Sequence, residues 1–209
     1  MPTYDYFSDF HQVASIEWRL PSNVVRLESP FTRQTQVVAR MGERWECTIT
    51  YPPRQTSDAY FYRAIGTHLW VRDDGINPFA TEWMIPFLGY AGPQGSASGA
   101  ASLTATGTSG SRTLTIGGFT SQPDPVFLGG DAIQVGEHLY LVAASFVNRG
   151  SNSSTSVPVW PRLRANYSSA AVSLTNPRVK MRRVSPLSWR TEPGNIAYID
   201  PIDFVEVYP

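Results

Sequence analysis

The chain has 209 residues, of which 42% are apolar and 12% aromatic, so it is long enough for one large domain or two small ones. Basic and acidic residues number 17 each, so the formal net charge is zero. Nucleic-acid binding as a main role is disfavoured, because phosphate contacts normally require a basic excess. Charged residues make up only 16%, against roughly 25% in typical domains. Such a surface is typical of proteins that pack in assemblies, and equally of Ser/Thr-rich β-proteins.

The cysteine content and the apolar runs exclude several classes of site. Cys47 is the only cysteine, so the chain can form neither an intrachain disulfide nor a Cys-ligated zinc or iron–sulfur site, and we expect no cofactor. No apolar run approaches the ~20 residues that cross a bilayer, which predicts no membrane span. The N-terminus lacks the basic and apolar regions of a signal peptide, and we expect the protein to be made and assembled in the cytoplasm.

The N-terminal residues 1–12 are irregular and aromatic. We expect such an arm to pack on its own core or on a neighbouring subunit. A strand is predicted over 13–20, with Ile16, Trp18 and Leu20 on one face. The aromatic residues that we predict to lie in a subunit interface are Tyr4, Tyr6, Phe7 and Phe10.

Residues 24–27 predict a short strand, and 32–40 predict a second one with alternating polar and apolar residues. Met41-Gly42 then suggests a hairpin turn into a strand over 43–51. Alternation places Trp45, Cys47 and Ile49 on one face of that strand, where Cys47 is expected to be a small core residue.

An amphipathic helix is predicted after Pro52-Pro53, over residues 58–71. Phe61, Ile65 and Leu69 recur at four-residue spacing and form one apolar stripe. A returning strand is predicted over 83–88. Residues 89–112 are rich in glycine and serine, which is typical of a linker or mobile loop and of a domain boundary.

The next stretch, 103–175, predicts an all-β module of about six short strands, and therefore a small barrel or sandwich. Gly136-Glu137 is expected to form a tight hairpin. A strand over 157–164 contains Pro158 and Pro161, which predicts that it lies at a sheet edge, because proline cannot donate to a ladder.

The C-terminal segment returns to charged and aromatic character. Alternation places Lys180 and Arg182 on one face, which we interpret as a solvated or inter-subunit face. Residues 1–90 and 178–209 are therefore predicted to form one domain, with 91–177 inserted as a β-barrel module. The core candidates of this segment are Trp189, Ile196, Tyr198 and Ile199.

No set of residues in the sequence predicts catalysis. A glycan hydrolase needs paired carboxylates that face a cleft. The acidic residues of the inserted module, Asp124, Asp131 and Glu137, all lie at predicted turns. The histidines His11, His68 and His138 are scattered, and no nucleophile–His–acid set can be placed, so we expect the protein not to be an enzyme.

The order and spacing of several runs resemble the distal tail proteins of long-tailed, siphovirus-like bacteriophages. Together these runs span most of the chain. The runs FTRQTQ at 31–36 and ERWECTITYPP at 43–53 are similar to the first half of such proteins. The runs FLGGD at 127–131, LYLV at 139–142 and VWPRLR at 159–164 are similar to their inserted module. The run IDFVEV at 202–207 is similar to their last strand.

The resemblance implies a structural virion protein at the phage tail tip, or baseplate. Members of that family form a hexameric ring that joins the tail tube to the central hub or fibre assembly. Tube protein, hub protein and tape-measure protein are therefore the expected partners, and the virion is the expected location after assembly in the host cytoplasm. The implied fold is mainly β: a tube-like β-sandwich or barrel with one flanking α-helix, plus an inserted small β-barrel or sandwich module.

An alternative function is that the inserted module binds carbohydrate and contributes to attachment at the host surface. Aromatic side chains stack on sugar faces, and Trp160 and Tyr167 are the candidate glycan contacts. Tyr140 is a third aromatic residue of the module, for which core packing is favoured.

Overall fold

The computed structural model describes residues 3–5, 13–21, 24–28, 30–39, 42–57, 82–100, 102–186 and 188–208. Regular structure in these ranges is strand apart from one 3-10 turn, Ser96–Gly99, which confirms the mainly β class. The predicted helix over 58–71 lies outside the described residues. The strands are β1 (Thr3–Asp5), β2 (Ser15–Arg19), β3 (Val24–Glu28), β4 (Thr35–Ala39), β5 (Glu46–Thr50), β6 (Arg54–Gln55), β7 (Glu82–Pro86), β8 (Thr104–Gly107), β9 (Thr113–Gly117), β10 (Phe127–Leu128), β11 (Ala132–Val135), β12 (His138–Val142), β13 (Phe146–Val147), β14 (Ser154–Trp160), β15 (Tyr167–Ser173), β16 (Arg178–Arg183), β17 (Trp189–Glu192), β18 (Ile196–Ile199) and β19 (Ile202–Glu206).

The chain divides into two compact units. The first comprises Met1–Arg19, Trp45–Gly89 and Arg178–Tyr208, and the second comprises Leu20–Arg44 and Tyr90–Pro177. Residues 20–44 are thus grouped with the second unit, whereas the sequence-based division places them in the first. That each unit is an independent domain stays a prediction.

Six strands of the first unit form one sheet, in the order β1-β7-β16-β19-β5-β2. β1 is parallel to β7, and every other neighbouring pair is antiparallel. The predicted strands over 43–51 and 83–88 are confirmed as β5 and β7. They are not neighbours, because the C-terminal strands β16 and β19 lie between them.

The two faces of this sheet differ in polarity, because directly opposed residues share a face. One face is largely buried and mostly apolar, although it also carries the buried charged residues Arg183 and Glu206. The predicted core position of Cys47 on this face is confirmed, since Cys47 is 2% exposed. The opposite face carries Lys180 and Arg182 together, as predicted, and also Arg178 and Glu82. The buried apolar residues of the first face are Cys47, Ile49, Trp83, Ile85, Val179, Met181, Ile202 and Phe204.

A second, three-stranded sheet of the first unit has the order β17-β18-β6. Ile199 is 7% exposed, in agreement with its prediction as a core residue. Trp189 and Ile196 were also predicted as core residues, and this is wrong: they are 49% and 37% exposed. Trp189 lies in the edge strand β17, where a side chain lacks neighbours on one side, and Ile196 is the first residue of β18, next to the exposed turn at 193–195.

The second unit contains a closed antiparallel barrel of six strands, in the order β11-β12-β14-β9-β8-β15. Its interior is filled by apolar side chains, among which Tyr140 and Phe127 are the largest fully buried ones. The predicted hairpin at Gly136-Glu137 is confirmed between β11 and β12, with Gly136 at a φ of 60°. The barrel thus selects one of the two architectures expected for this module.

Two predictions for the module are wrong. The stretch 89–112 is not a linker throughout, because it contains β8, which pairs with β9 and β15. The glycines and small residues of this stretch do not reveal its buried positions by hydrophobicity, yet Ala105 is fully buried. β14 is not an edge strand, since β9 and β12 flank it. Pro158 is tolerated because it is the last residue of β14 that pairs with β9, and the residues of β14 that pair with β12 begin only at Val159.

Strands β3 and β4 pair with each other as a two-stranded hairpin. The hairpin turn predicted at Met41-Gly42 is therefore wrong: β4 pairs with β3, while β5 pairs with β2 and β19. Met41 itself lies outside the described residues. The described tip residues are exposed, and Arg33 there has a φ of 54°.

Candidate functional site

Two acidic side chains of the barrel unit, Asp131 and Asp124, bind backbone amides. Asp131 is fully buried and accepts hydrogen bonds from the N–H groups of Gln94 at 2.8 Å, Gly95 at 3.3 Å and Leu128 at 2.8 Å. It thereby ties the segment before Ser96 to the turn between β10 and β11. Burial raises the pKa of the nearby Tyr90 to about 12. A carboxylate surrounded by three backbone donors is a structural acceptor rather than an acid or base in a cleft.

Asp124 has a similar role in a second pair of loops. It accepts the N–H groups of Arg149 at 2.7 Å and Gly150 at 2.9 Å. The Arg149 guanidinium donates back to the carbonyl oxygens of Gln122 and Asn152. These bonds hold the loop before β10 against the loop before β14.

The two predicted glycan contacts lie on different barrel strands. Trp160 ends β14 opposite Leu141 and is partly exposed. Tyr167 begins β15, and its hydroxyl lies 2.8 Å from that of the fully buried Tyr140, with the rings edge to face at 6.3 Å. The Tyr140 hydroxyl also accepts the Arg164 N–H at 2.9 Å, and the core position favoured for Tyr140 is confirmed. Glycan contact by Trp160 and Tyr167 stays a prediction.

The polar face of the six-stranded sheet contains a buried carboxylate between two cations. Glu82 is 7% exposed, and its oxygens lie 2.6 Å from Lys180 Nζ and 3.1 Å from Arg182 Nη2. Burial raises the pKa of Glu82, but the hydrogen bonds and charges of Lys180 and Arg182 outweigh it and hold the pKa below its ordinary value. This ion triad joins β7 to β16 on a face that a soluble sheet normally leaves to water.

On the largely apolar face of this sheet, the surroundings of Cys47 do not activate its thiol. Cys47 Sγ lies 3.6 Å from Met181 Sδ, and burial raises the pKa of its thiol well above the ordinary value. A thiol of this kind is unreactive at neutral pH. Beside it, Trp18, Trp45 and Phe87 form an aromatic cluster with ring centroids 5.1–6.0 Å apart.

Among the described residues there is no group of three or more His, Cys, Asp or Glu side chains that could hold a metal ion. His138 is buried in β12, and His11 and His68 lie outside the described ranges. The part of the chain that the structure covers includes no helix long and apolar enough to cross a membrane.

Among the described residues, the edges of the six-stranded sheet and the tip of the β3–β4 hairpin are surface features to which the contacts above assign no structural role. β1 and β2 end the six-stranded sheet on opposite sides. Tyr4 lies in β1, whereas Tyr6, Phe7 and Phe10 lie outside the described residues. On the β3–β4 hairpin, Leu27 is 56% exposed and Phe31 is 95% exposed.

Phe31 is a surface feature that sequence reasoning did not single out. The signal for it was present: Pro30 interrupts two alternating runs, and a turn at that point projects the next side chain outward. In the sequence analysis Phe31 appears only as the first residue of the run FTRQTQ at 31–36, and the hairpin turn was predicted at Met41-Gly42.

Comparison with known proteins identifies no family for this chain. No protein-family profile matches the chain, and a search of curated proteins finds none that is similar in sequence.

Proposed function

We propose that the protein is a structural subunit of a ring at the distal end of a phage tail, where it joins the tail tube to the hub or fibre assembly. Its partners are further copies of itself, the tube protein, and the hub and tape-measure proteins. The proposed role is geometric and includes no catalysis. The observation that carries it is the open six-stranded sheet of the first unit, with two unlike edges.

The sheet edges favour contacts between copies. β1 is parallel to β7, and four antiparallel steps lead from β7 to β2, so β1 and β2 run in the same direction. Contact between β2 of one copy and β1 of the next is therefore a parallel seam. Because the edges differ, the contact is head-to-tail, and such contacts close into rings when the rotation between copies permits.

The exposed hairpin tip supports the same proposal. A solvent-exposed Phe is common singly, but Phe31 is 95% exposed at the end of a two-stranded arm and has Leu27 on the same arm, 56% exposed. Apolar side chains at a projecting tip are suited to a pocket on a neighbouring subunit.

Deletion of residues 1–10 tests the seam, because it removes β1 and the four aromatic residues of the predicted interface. The full chain is expected to form six-fold rings in negative-stain images, with a mass by light scattering after size exclusion that is six times the 23.2 kDa chain mass or a multiple of that value. The deletion variant is expected to form no rings, while its far-UV circular dichroism spectrum remains that of a folded β-protein.

The matched control is Phe146→Ser, which removes an exposed aromatic residue from the barrel unit and leaves both sheet edges intact. Rings that survive the deletion would show that the N-terminal arm is not the seam. Monodisperse monomers of the full chain would contradict the ring itself.

A carbohydrate-binding module is the second candidate, and the partial exposure of Trp160 at the end of β14 favours it. Titration of the full chain against a glycan panel tests it, with Trp160→Ala expected to abolish any binding and Tyr167→Phe expected to weaken it. A flat response of the unaltered protein across the panel would reject this candidate.

A further inference from the structure

Strand β17 is an exposed edge of the three-stranded sheet. All four of its residues are exposed, and Trp189 is 49% exposed. β18 lies on one side of β17, and no other strand of the described chain pairs with it. The opposite side therefore presents unpaired backbone groups, which are a template for another strand.

The register shows which backbone groups face outward. The Asp200 N–H donates to the Ser188 carbonyl at 3.0 Å, in phase with the pairing of Arg190 with Tyr198. In an antiparallel pair, hydrogen-bonded and non-hydrogen-bonded positions alternate. Arg190 and Glu192 thus direct their backbone groups at β18, while Trp189 and Thr191 direct theirs at the open side.

The side chains of β17 distinguish between possible partners. Arg190 and Glu192 share the solvent face, where the Arg190 guanidinium lies 5.0 Å above the Tyr198 ring and its Nε lies 3.6 Å from Glu192 Oε1. Two copies of β17 paired antiparallel about Thr191 place each Arg190 opposite the other copy's Glu192. Pairing about Arg190 would oppose two like charges, which is unfavourable.

We propose that β17 is a docking edge for a second copy of this chain, in a two-fold antiparallel contact centred on Thr191. The two Thr191 residues exchange N–H···O bonds, and each Trp189 N–H donates to the Pro193 carbonyl of the other copy. Pro193 has no N–H, so the ladder ends there and the contact stays short. The contact is isologous and uses neither β1 nor β2, so it does not depend on the proposed ring.

Charge reversal tests the complementarity. Arg190→Glu and Glu192→Arg each place like charges opposite one another, and each is expected to lower the particle mass in light scattering to half that of the unaltered protein. The double variant Arg190→Glu/Glu192→Arg restores opposite charges and is expected to restore the mass. Glu137→Arg, in the β11–β12 turn, is the control and leaves the mass unchanged. A mass that no reversal alters, or a double variant as small as the single ones, overturns the proposal.

Cysteine cross-linking tests the register. Opposed residues at a hydrogen-bonded antiparallel position have Cα atoms about 5.5 Å apart, within disulfide range. Thr191→Cys is expected to form a covalent dimer under mild oxidation. Ser188→Cys, directly before β17, would lie several residues from the Ser188 position of the other copy and is expected to stay monomeric on a non-reducing gel. No dimer with Thr191→Cys, or equal dimer with both variants, contradicts the contact. If the protein forms no ring, a Thr191→Cys dimer of two chains still supports it.

Discussion

Two aspartates hold loops of this protein through backbone hydrogen bonds. The buried Asp131 accepts three backbone donors from two separate segments, and the exposed Asp124 accepts two. A buried N–H without a partner costs free energy, so the buried carboxylate of Asp131 is expected to contribute more to stability than that of Asp124. Glu82 joins two strands instead, since it neutralises cations of β16 that would otherwise repel each other.

Asp131→Ala is expected to lower the free energy of unfolding on the order of 3 kcal/mol, because it removes a buried charged acceptor and leaves three backbone donors, of which Gly95 N–H is buried, without their partner. Asp131→Asn keeps one acceptor oxygen and is expected to cost less. Urea denaturation followed by fluorescence measures both. Asp200→Ala, which truncates an exposed carboxylate, is the control, and an equal effect of Asp131→Ala and Asp200→Ala would contradict the role assigned to Asp131.

Glu82 predicts a pH dependence of stability. Its folded pKa is lowered, so its contribution is fully present above the ordinary glutamate pKa of about 4.3 and is lost as the pH falls through the lower, folded value. The stability difference between the unaltered protein and Glu82→Gln is therefore expected to be largest near pH 7 and to narrow at acidic pH. Denaturation at several pH values measures it. Glu192→Gln, at an exposed pair, should show a small and nearly constant difference; the same behaviour in Glu82→Gln would refute the assignment.

At the scale of elements, strands in this chain separate into those that build a core and those that present a surface. β12 is almost entirely buried in the barrel, whereas β17 and residues 27–28 and 30–36 of the β3–β4 hairpin are exposed. Exposed strands contribute little apolar burial, so their sequence can vary in apolar content without a large effect on folding. The proposed contacts with other copies would bury the exposed apolar side chains of these strands.

Phe31→Ser on the hairpin tip is expected to change the free energy of unfolding by less than about 0.5 kcal/mol, because the Phe31 ring is exposed to solvent in both the folded and the unfolded state. It is nevertheless expected to destabilise the proposed ring and to increase the fraction of smaller species on dilution, as measured by mass photometry. Loss of folding stability without loss of assembly would indicate that Phe31 packs within its own chain.

At the scale of the whole molecule, the described buried residues of the two units come from different parts of the sequence. The barrel core draws on residues from Ala97 to Leu174, while the sheet core of the first unit draws on positions before and after it. A contiguous segment therefore carries every strand and core residue of the barrel. The discontinuous unit depends instead on pairing between distant parts of the chain, through β16 and β19.

A fragment of residues 90–177 is expected to fold alone, because it contains the closed barrel and its core. Dispersed amide resonances and a cooperative thermal transition would support this. Asp131→Ala is expected to lower that transition in the fragment as it does in the full chain. A fragment without dispersed resonances would show that residues 20–44 are needed, as their grouping with this unit allows.

The sequence by itself determined which residues alternate between faces. The core position of Cys47 and the shared face of Lys180 and Arg182 follow from the period of two that any strand imposes, and both are confirmed. The hairpin at Gly136-Glu137 also follows locally, since glycine supplies the positive φ that a tight turn requires.

Only the tertiary structure decided which strands are neighbours. Alternation is a property of a few consecutive residues, whereas pairing depends on segments far apart in the chain, as with β5, which lies between β2 and β19. The same limit explains why Trp189 is exposed, because an apolar side chain is buried only where neighbouring elements cover it. It also explains why Pro158 lies in an internal strand, because proline is excluded from a sheet only where the missing N–H would have had a hydrogen-bond partner.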